Sequence, residues 1–201
     1  MTILPCVYQG NYSPIARHAE TVLLPLLRSL KISFYAYSPI AGGFLVKDAT
    51  EVRAKTSNGR FEVGSFFFSM YSTLYSKETM LDALGEWGEI AKEAGVSMAA
   101  LAVRWAVWHS MPKEDSGDGL IIGVAKTSQL EETLKAVEDG PLETVAWRRS
   151  RQFGARLKMT RLWIIITTSL RRVVGLDNLV LFEDHGFVVE SSGSFVNKRK
   201  G

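Results

Sequence analysis

The sequence predicts an α/β protein organised around parallel strands, and three observations predict it. Short aromatic and β-branched runs stop at turn residues, as at Phe34-Tyr35-Ala36-Tyr37 before Ser38-Pro39. Stretches with apolar residues at spacings of three and four lie between these runs. Strand and helix signals alternate as far as Glu143, which is the βαβ pattern.

In chain order, the first strand is expected over Leu4–Tyr8. Ser13-Pro14 then reads as an N-cap and first helical position. Ile15, Ala19, Val22, Leu23, Leu26, Leu27 and Leu30 would form one buried helix face, with a kink or a second start near Pro25. Ile32–Tyr37 is the second strand. Residues 47–76 show no periodicity and are expected to be a long loop of the kind that forms lids. Its aromatic patch (Phe66, Phe67, Phe68, Tyr71, Tyr75) would either wall an apolar pocket or plug a rim. A helix over 78–94 buries Met80, Leu81, Leu84, Trp87 and Ala91. Gly95 as C-cap and Ser97 as N-cap start a further helix to about Ser110, with Leu101, Ala102, Trp105 and Trp108 inside and His109 as a cationic end cap. Leu120–Val124 is the third strand, and Ser128–Glu138 the next helix.

The chain has 201 residues, 46% of them hydrophobic, enough to bury a core. Its one cysteine, Cys6, excludes an internal disulfide and is expected to be a buried thiol. The N-terminal residues carry no signal-peptide pattern and no apolar run is long enough to span a membrane, so a cytoplasmic protein is expected. His18 has no clustered His, Cys or carboxylate beside it, so no metal site is expected. The net charge of +3 hides an asymmetry: 13 basic and 17 acidic residues up to Trp147, then 11 basic and 4 acidic from Arg148 on. The tail contains apolar Leu162–Ile166, a candidate hairpin over 173–189, and the basic end Asn197-Lys198-Arg199-Lys200-Gly201. No nucleic-acid-binding motif accompanies this charge, and no nucleic-acid partner is expected.

The residues with chemistry to offer fall where parallel strands end, the rim at which α/β proteins bind ligands. Gln9 offers a donor and an acceptor together, as a carboxamide ligand requires. Tyr37 offers a flat face, and Ser38 with the backbone of Ile40–Gly43 suits a pyrophosphate. Gly42 and Gly43 permit close approach to the backbone. Lys126 and Gln129 stand at a helix start, which favours an anion.

Three blocks carry a resemblance: Val7-Tyr8-Gln9-Gly10-Asn11-Tyr12, then Phe34 to Lys47, then Ile121-Ile122-Gly123 with Lys126-Thr127-Ser128-Gln129-Leu130-Glu131-Glu132. In order and spacing they resemble strands six, seven and eight, with their loops, of the aldo-keto reductase superfamily, most closely its fungal aflatoxin-aldehyde-reductase-like branch. The resemblance spans about residues 4–143. It implies the last three strand–helix units of a (β/α)8 TIM barrel, an architecture that takes about 250 residues when complete. Residues 1–143 would be the partial barrel, and 144–201 a basic, non-family tail.

The resemblance also implies roles. Gln9 would hold the nicotinamide amide and Tyr37 would stack on the ring. Ser38, Pro39, Ile40, Ala41, Gly42, Gly43, Phe44, Leu45, Val46 and Lys47 would wrap the pyrophosphate. Arg60 with Ala125, Lys126, Thr127, Ser128, Gln129, Leu130, Glu131, Glu132 and Thr133 would clasp the adenosine and its 2′-phosphate, implying NADP(H). Tyr71 would face an aldehyde or ketone substrate. Ala125 stands where many relatives have a polar or basic residue, and Thr133 where they often have Asn. The family's Tyr, Lys, His and Asp catalytic set belongs to earlier strands, and no residue here matches it. The alternatives are a reductase portion inactive by itself and a non-catalytic module that retains part of a nucleotide site.

Overall fold

The computed structural model describes residues 4–153. Its centre is a sheet of three parallel strands in the order β1 (Val7–Asn11), β2 (Ser33–Tyr37) and β3 (Gly119–Ile121). Gln9 pairs with Tyr35 and Asn11 with Tyr37, while Tyr37 pairs with Ile121. Parallel strands require crossovers, and helices supply them. β1 starts and ends three residues later than the apolar run suggests, which places Gln9 within the strand rather than after it. β3 conversely stops at Ile121.

Side chains alternate across the strands. Phe34 and Ala36 are buried toward the helices, whereas Tyr35 and Tyr37 are exposed on the opposite face with their cross-strand neighbours Gln9 and Ile121. Tyr12 follows β1 and is fully buried, stacked on Trp105 and edge-on to Phe34. Its hydroxyl donates to Glu20 Oε1 at 2.7 Å and accepts from the Met111 N–H at 3.2 Å. Burial, and then the Glu20 charge, push the Tyr12 phenol far above its ordinary range.

The single helix expected after Ser13 does not form. Ser13 and Ala16 instead make an isolated bridge, a 3-10 turn spans His18–Glu20, and α1 covers Leu23–Ser29. Pro25 therefore falls in the first turn of α1, where its missing N–H costs no helical bond, so it marks a second start. Val22, Leu26 and Leu30 are exposed, leaving Leu24 and Leu27 as the buried pair.

The expected long loop is also corrected. α2 (Ala49–Ala54) starts at Asp48, whose carboxylate accepts from the Thr50 and Glu51 N–H groups at 2.7 and 3.1 Å. Those bonds hold its pKa below the usual carboxylate value. A 3-10 turn at Gly59–Phe61 and α3 (Phe68–Tyr75) follow. Six- and eight-residue helices are too short to declare a period, which is why the sequence pattern conceals them. Within the aromatic patch, Tyr75 is buried and stacked on Phe44, and Phe66 is 93% exposed.

α4 (Glu78–Glu93) buries the face its sequence predicts. Gly95 adopts φ 65° after it, and the Ser97 hydroxyl accepts from the Ala100 N–H at 3.0 Å to start α5 (Met98–Arg104). The last turn widens into a π-helix over Trp105–His109. Trp105 is buried there, but Trp108 is 45% exposed, with its indole N–H donating to the Val137 carbonyl at 3.3 Å. α6 (Thr127–Glu138) ends beneath Arg104, whose guanidinium donates to the carbonyls of Asp139, Gly140 and Pro141.

Asp118, before β3, ties the strand starts together. Its side chain is 2% exposed, pairs with Arg28 of α1, and accepts from the Phe34 and Lys113 N–H groups at 2.7 and 2.6 Å. Cys6 is exposed rather than buried, because the delayed start of β1 leaves it on the approach to the sheet. Residues 144–153 are helical; Phe153 is buried against Trp87 at 5.1 Å between ring centroids. The apolar run at 162–166, the candidate hairpin at 173–189 and the basic end lie outside the described residues.

Candidate functional site

β2 delivers Tyr37 to the start of a tight loop. Ser38 and Ala41 take left-handed backbone geometry at φ 58° and 53°, followed by Gly42 at 66° and Gly43 at 98°. Four positive φ values in six residues are costly for non-glycine positions, so a packed surrounding must impose them. That surrounding is the core beneath: Ala41, Phe44 and Leu45 are all 1% exposed or less. The loop closes through the Ala41 N–H to the Ser38 carbonyl at 2.8 Å and the Gly43 N–H to the Ile40 carbonyl at 3.0 Å. The chain thus turns its backbone outward over an apolar base.

Opposite this loop runs the chain from the end of β3 into α6. Between them lies a cleft of about 660 Å³. One wall is Tyr37, Ser38, Pro39, Ile40, Gly42, Gly43 and Val46, with Arg60 beside them. The other is 121–125 with Gln129, Glu132 and Thr133. A third wall comes from the start of α5, at Ser97, Ala99, Ala100 and Val103. Sequence reasoning missed this wall; the small residues after the Ser97 cap were its one available signal.

Other expected site residues fall elsewhere. Gln9 is exposed on the open sheet face, beside Tyr35 rather than in the cleft. Lys47 binds the Asn58 side-chain oxygen. Lys126, Thr127, Ser128, Leu130 and Glu131 are exposed outside the cleft. Tyr71 packs over Gly42, where a Cβ would collide with its ring, and its hydroxyl accepts from Arg60 Nη1 at 2.9 Å. The Arg60 guanidinium also lies 5.5 Å from the Tyr71 ring centre and 5.7 Å from that of Phe67. Arg60 is therefore pinned over the loop by one hydroxyl, two rings and the Gly42 carbonyl at 3.4 Å.

The start of α6 is already served from within. Gln129 Oε1 accepts from the Ala125 and Lys126 N–H groups at 2.9 and 3.3 Å, and the Gln129 N–H donates to the Lys126 carbonyl at 3.1 Å. The Thr133 hydroxyl donates to the Gln129 carbonyl at 2.7 Å. His109, expected as a cationic cap, is instead an acceptor: its Nε2 takes the Leu142 N–H at 2.8 Å. Burial, then the Arg104 and Lys113 charges, lower its pKa, so the neutral ring is the favoured form. No cluster of three metal-ligating side chains occurs among the described residues. No helix among them is long and apolar enough to cross a membrane.

Fold and cleft together define an α/β protein with a ligand-sized site at the C-terminal ends of parallel strands. The family model described as "Aldo/keto reductase family" matches residues 2–154, and the chain belongs to that family. It is 40% identical over 141 residues to "Oxidoreductase sirO" of Leptosphaeria maculans, covering 70% of this chain and 42% of that protein. It is 38% identical over 149 residues to "Aldo-keto reductase family 7 member A3" of Homo sapiens, covering 70% and 44%. It is also 38% identical over 149 residues to "Aflatoxin B1 aldehyde reductase member 2" of Rattus norvegicus, covering 70% and 40%. The chain thus spans less than half the length of these curated relatives.

Proposed function

We propose that this chain forms the dinucleotide-binding portion of a cytoplasmic carbonyl reductase, contributing the last three strand–helix units of a (β/α)8 barrel. The cleft between the Ser38–Gly43 loop and the 121–133 wall is the observation that carries this reading. Its form suits the ligand: a left-handed, glycine-bearing loop for a pyrophosphate, an exposed tyrosine face at its mouth, and small residues at the start of α5. When bound, a reduced nicotinamide dinucleotide supplies hydride to an aldehyde or ketone carbon.

This chain's residues would then bind and orient. Tyr37 would offer its ring to the nicotinamide, and Gln9, exposed on the same sheet face, would engage the carboxamide. Ser38 through Gly43 would carry the pyrophosphate, while Arg60 holds Tyr71 down upon that loop. The family implies NADP(H); the choice between phosphorylated and unphosphorylated forms rests with the adenosine end of the cleft. A fungal secondary-metabolite pathway is the proposed setting, supported by the similarity to fungal reductases.

A second reading, nucleotide binding without turnover, is favoured by the state of Tyr12. Its phenol is buried, driven up in pKa and bonded to Glu20 and Met111, away from the cleft, so it is unsuited to protonating an alkoxide. The purified chain titrated with NADH and NADPH, with tryptophan fluorescence as the signal, separates the possibilities. Binding is expected, weakened at least about tenfold by Tyr37→Ala, with no reduction of 4-nitrobenzaldehyde, since a missing general acid alone costs about 10²–10⁴ in rate. Turnover abolished by Tyr37→Ala would show a complete catalytic site in this chain. Absence of binding would refute the cleft as a nucleotide site.

A further inference from the structure

The charges lining the cleft are few and unevenly placed. Among its lining residues only Arg60 and Glu132 carry charged side chains. Arg60 is committed to the loop side, to the Tyr71 hydroxyl at 2.9 Å and the Gly42 carbonyl at 3.4 Å. On the α6 side the one charge is therefore the Glu132 carboxylate. Lys126, the cation expected there, caps the helix outside the cleft, and Ala125 contributes no charge. The N–H groups of Ala125, Lys126 and Gln129 are bonded within the chain, and so is the Thr133 hydroxyl. The wall that should receive a phosphate monoester thus presents an anion, and its backbone N–H groups at 125, 126 and 129 are already bonded.

Resting on the nucleotide reading of the cleft, we propose that Glu132 makes the site select NADH over NADPH, accepting hydrogen bonds from the adenosine ribose hydroxyls and repelling a phosphate in their place. A carboxylate is an acceptor only, so it complements a diol and opposes an anion. The ribose phosphate carries about −1.5 to −2 charge at neutral pH, so even in a solvated cleft one misplaced carboxylate is worth about tenfold in affinity. Because Glu132 is exposed, the discrimination should shrink as salt is raised.

The test is binding of NADH and NADPH to the purified full chain by isothermal titration calorimetry at low salt, for the wild type, Glu132→Gln and Glu132→Lys. Circular dichroism would verify folding of each variant. The wild type is expected to bind NADH at least about tenfold more tightly, Glu132→Gln to shrink that ratio, and Glu132→Lys to invert it. NADPH bound as tightly as NADH by the wild type, or a ratio unchanged in Glu132→Gln, overturns this inference and leaves the nucleotide site standing. If neither nucleotide binds, the inference and the reading beneath it both fall.

Discussion

Gly42 is the residue on which the loop and its cover meet. Its φ of 66° is a conformation that alanine adopts only with strain. A Cβ there would also strike the Tyr71 ring and hydroxyl, which Arg60 holds in place and which therefore cannot swing aside freely. Gly42→Ala should destabilise the chain by about 1–3 kcal/mol, as overpacking and backbone strain combine. Urea denaturation followed by tryptophan fluorescence checks this; unchanged stability would mean that Tyr71 does not rest on the loop. Gly43 was as conspicuous in the sequence, yet a Cβ there would meet nothing, so its value lies in its φ of 98° alone. Sequence can point to a glycine pair, but only packing tells which one is enclosed.

At the scale of elements, α4 and the Ser97 cap of α5 were legible because length and capping chemistry agree. α2 was not, although Asp48-Ala49-Thr50-Glu51 carries an N-cap signal, because six residues cannot display a helical period. His109 was misread for a different reason. A histidine at a helix end suggests a cation, but its acceptor role depends on the Leu142 N–H, 33 residues away. That contact fastens the segment after α6 to the end of the π-turn, with Trp147 against the imidazole at 5.7 Å between ring centres. Folding lowers the His109 pKa from its ordinary 6.5, so the stability it contributes is fully present above that value. It is lost as pH falls through the lower, folded-state pKa, because protonation removes the Nε2 acceptor. Thermal melts should show the wild type losing more stability than His109→Gln between about pH 7.5 and about pH 5. Parallel losses in the two proteins would deny His109 that role.

For the whole molecule, the sheet has one covered and one open face. Phe34 and Ala36 are covered by helices, while Tyr35, Tyr37, Gln9 and Ile121 are exposed on the other side. The parallel order of the strands was readable from the alternation of elements, and so was the loop wall of the cleft. The α5 wall was not, since nothing local says that the start of α5 faces the end of β3. Asp118 escaped notice likewise: its role as acceptor for Arg28, Phe34 and Lys113 exists only once three distant segments meet.

The central claim is that two separated segments, the loop after β2 and the chain from β3 into α6, act together as one dinucleotide cradle. Hydrogen–deuterium exchange of the full chain, with and without saturating NADH, tests it most directly. The account predicts slower exchange over 37–47 and 121–133 on adding nucleotide, with α4 unchanged. Protection confined to one of the two segments, or found only elsewhere, would contradict it.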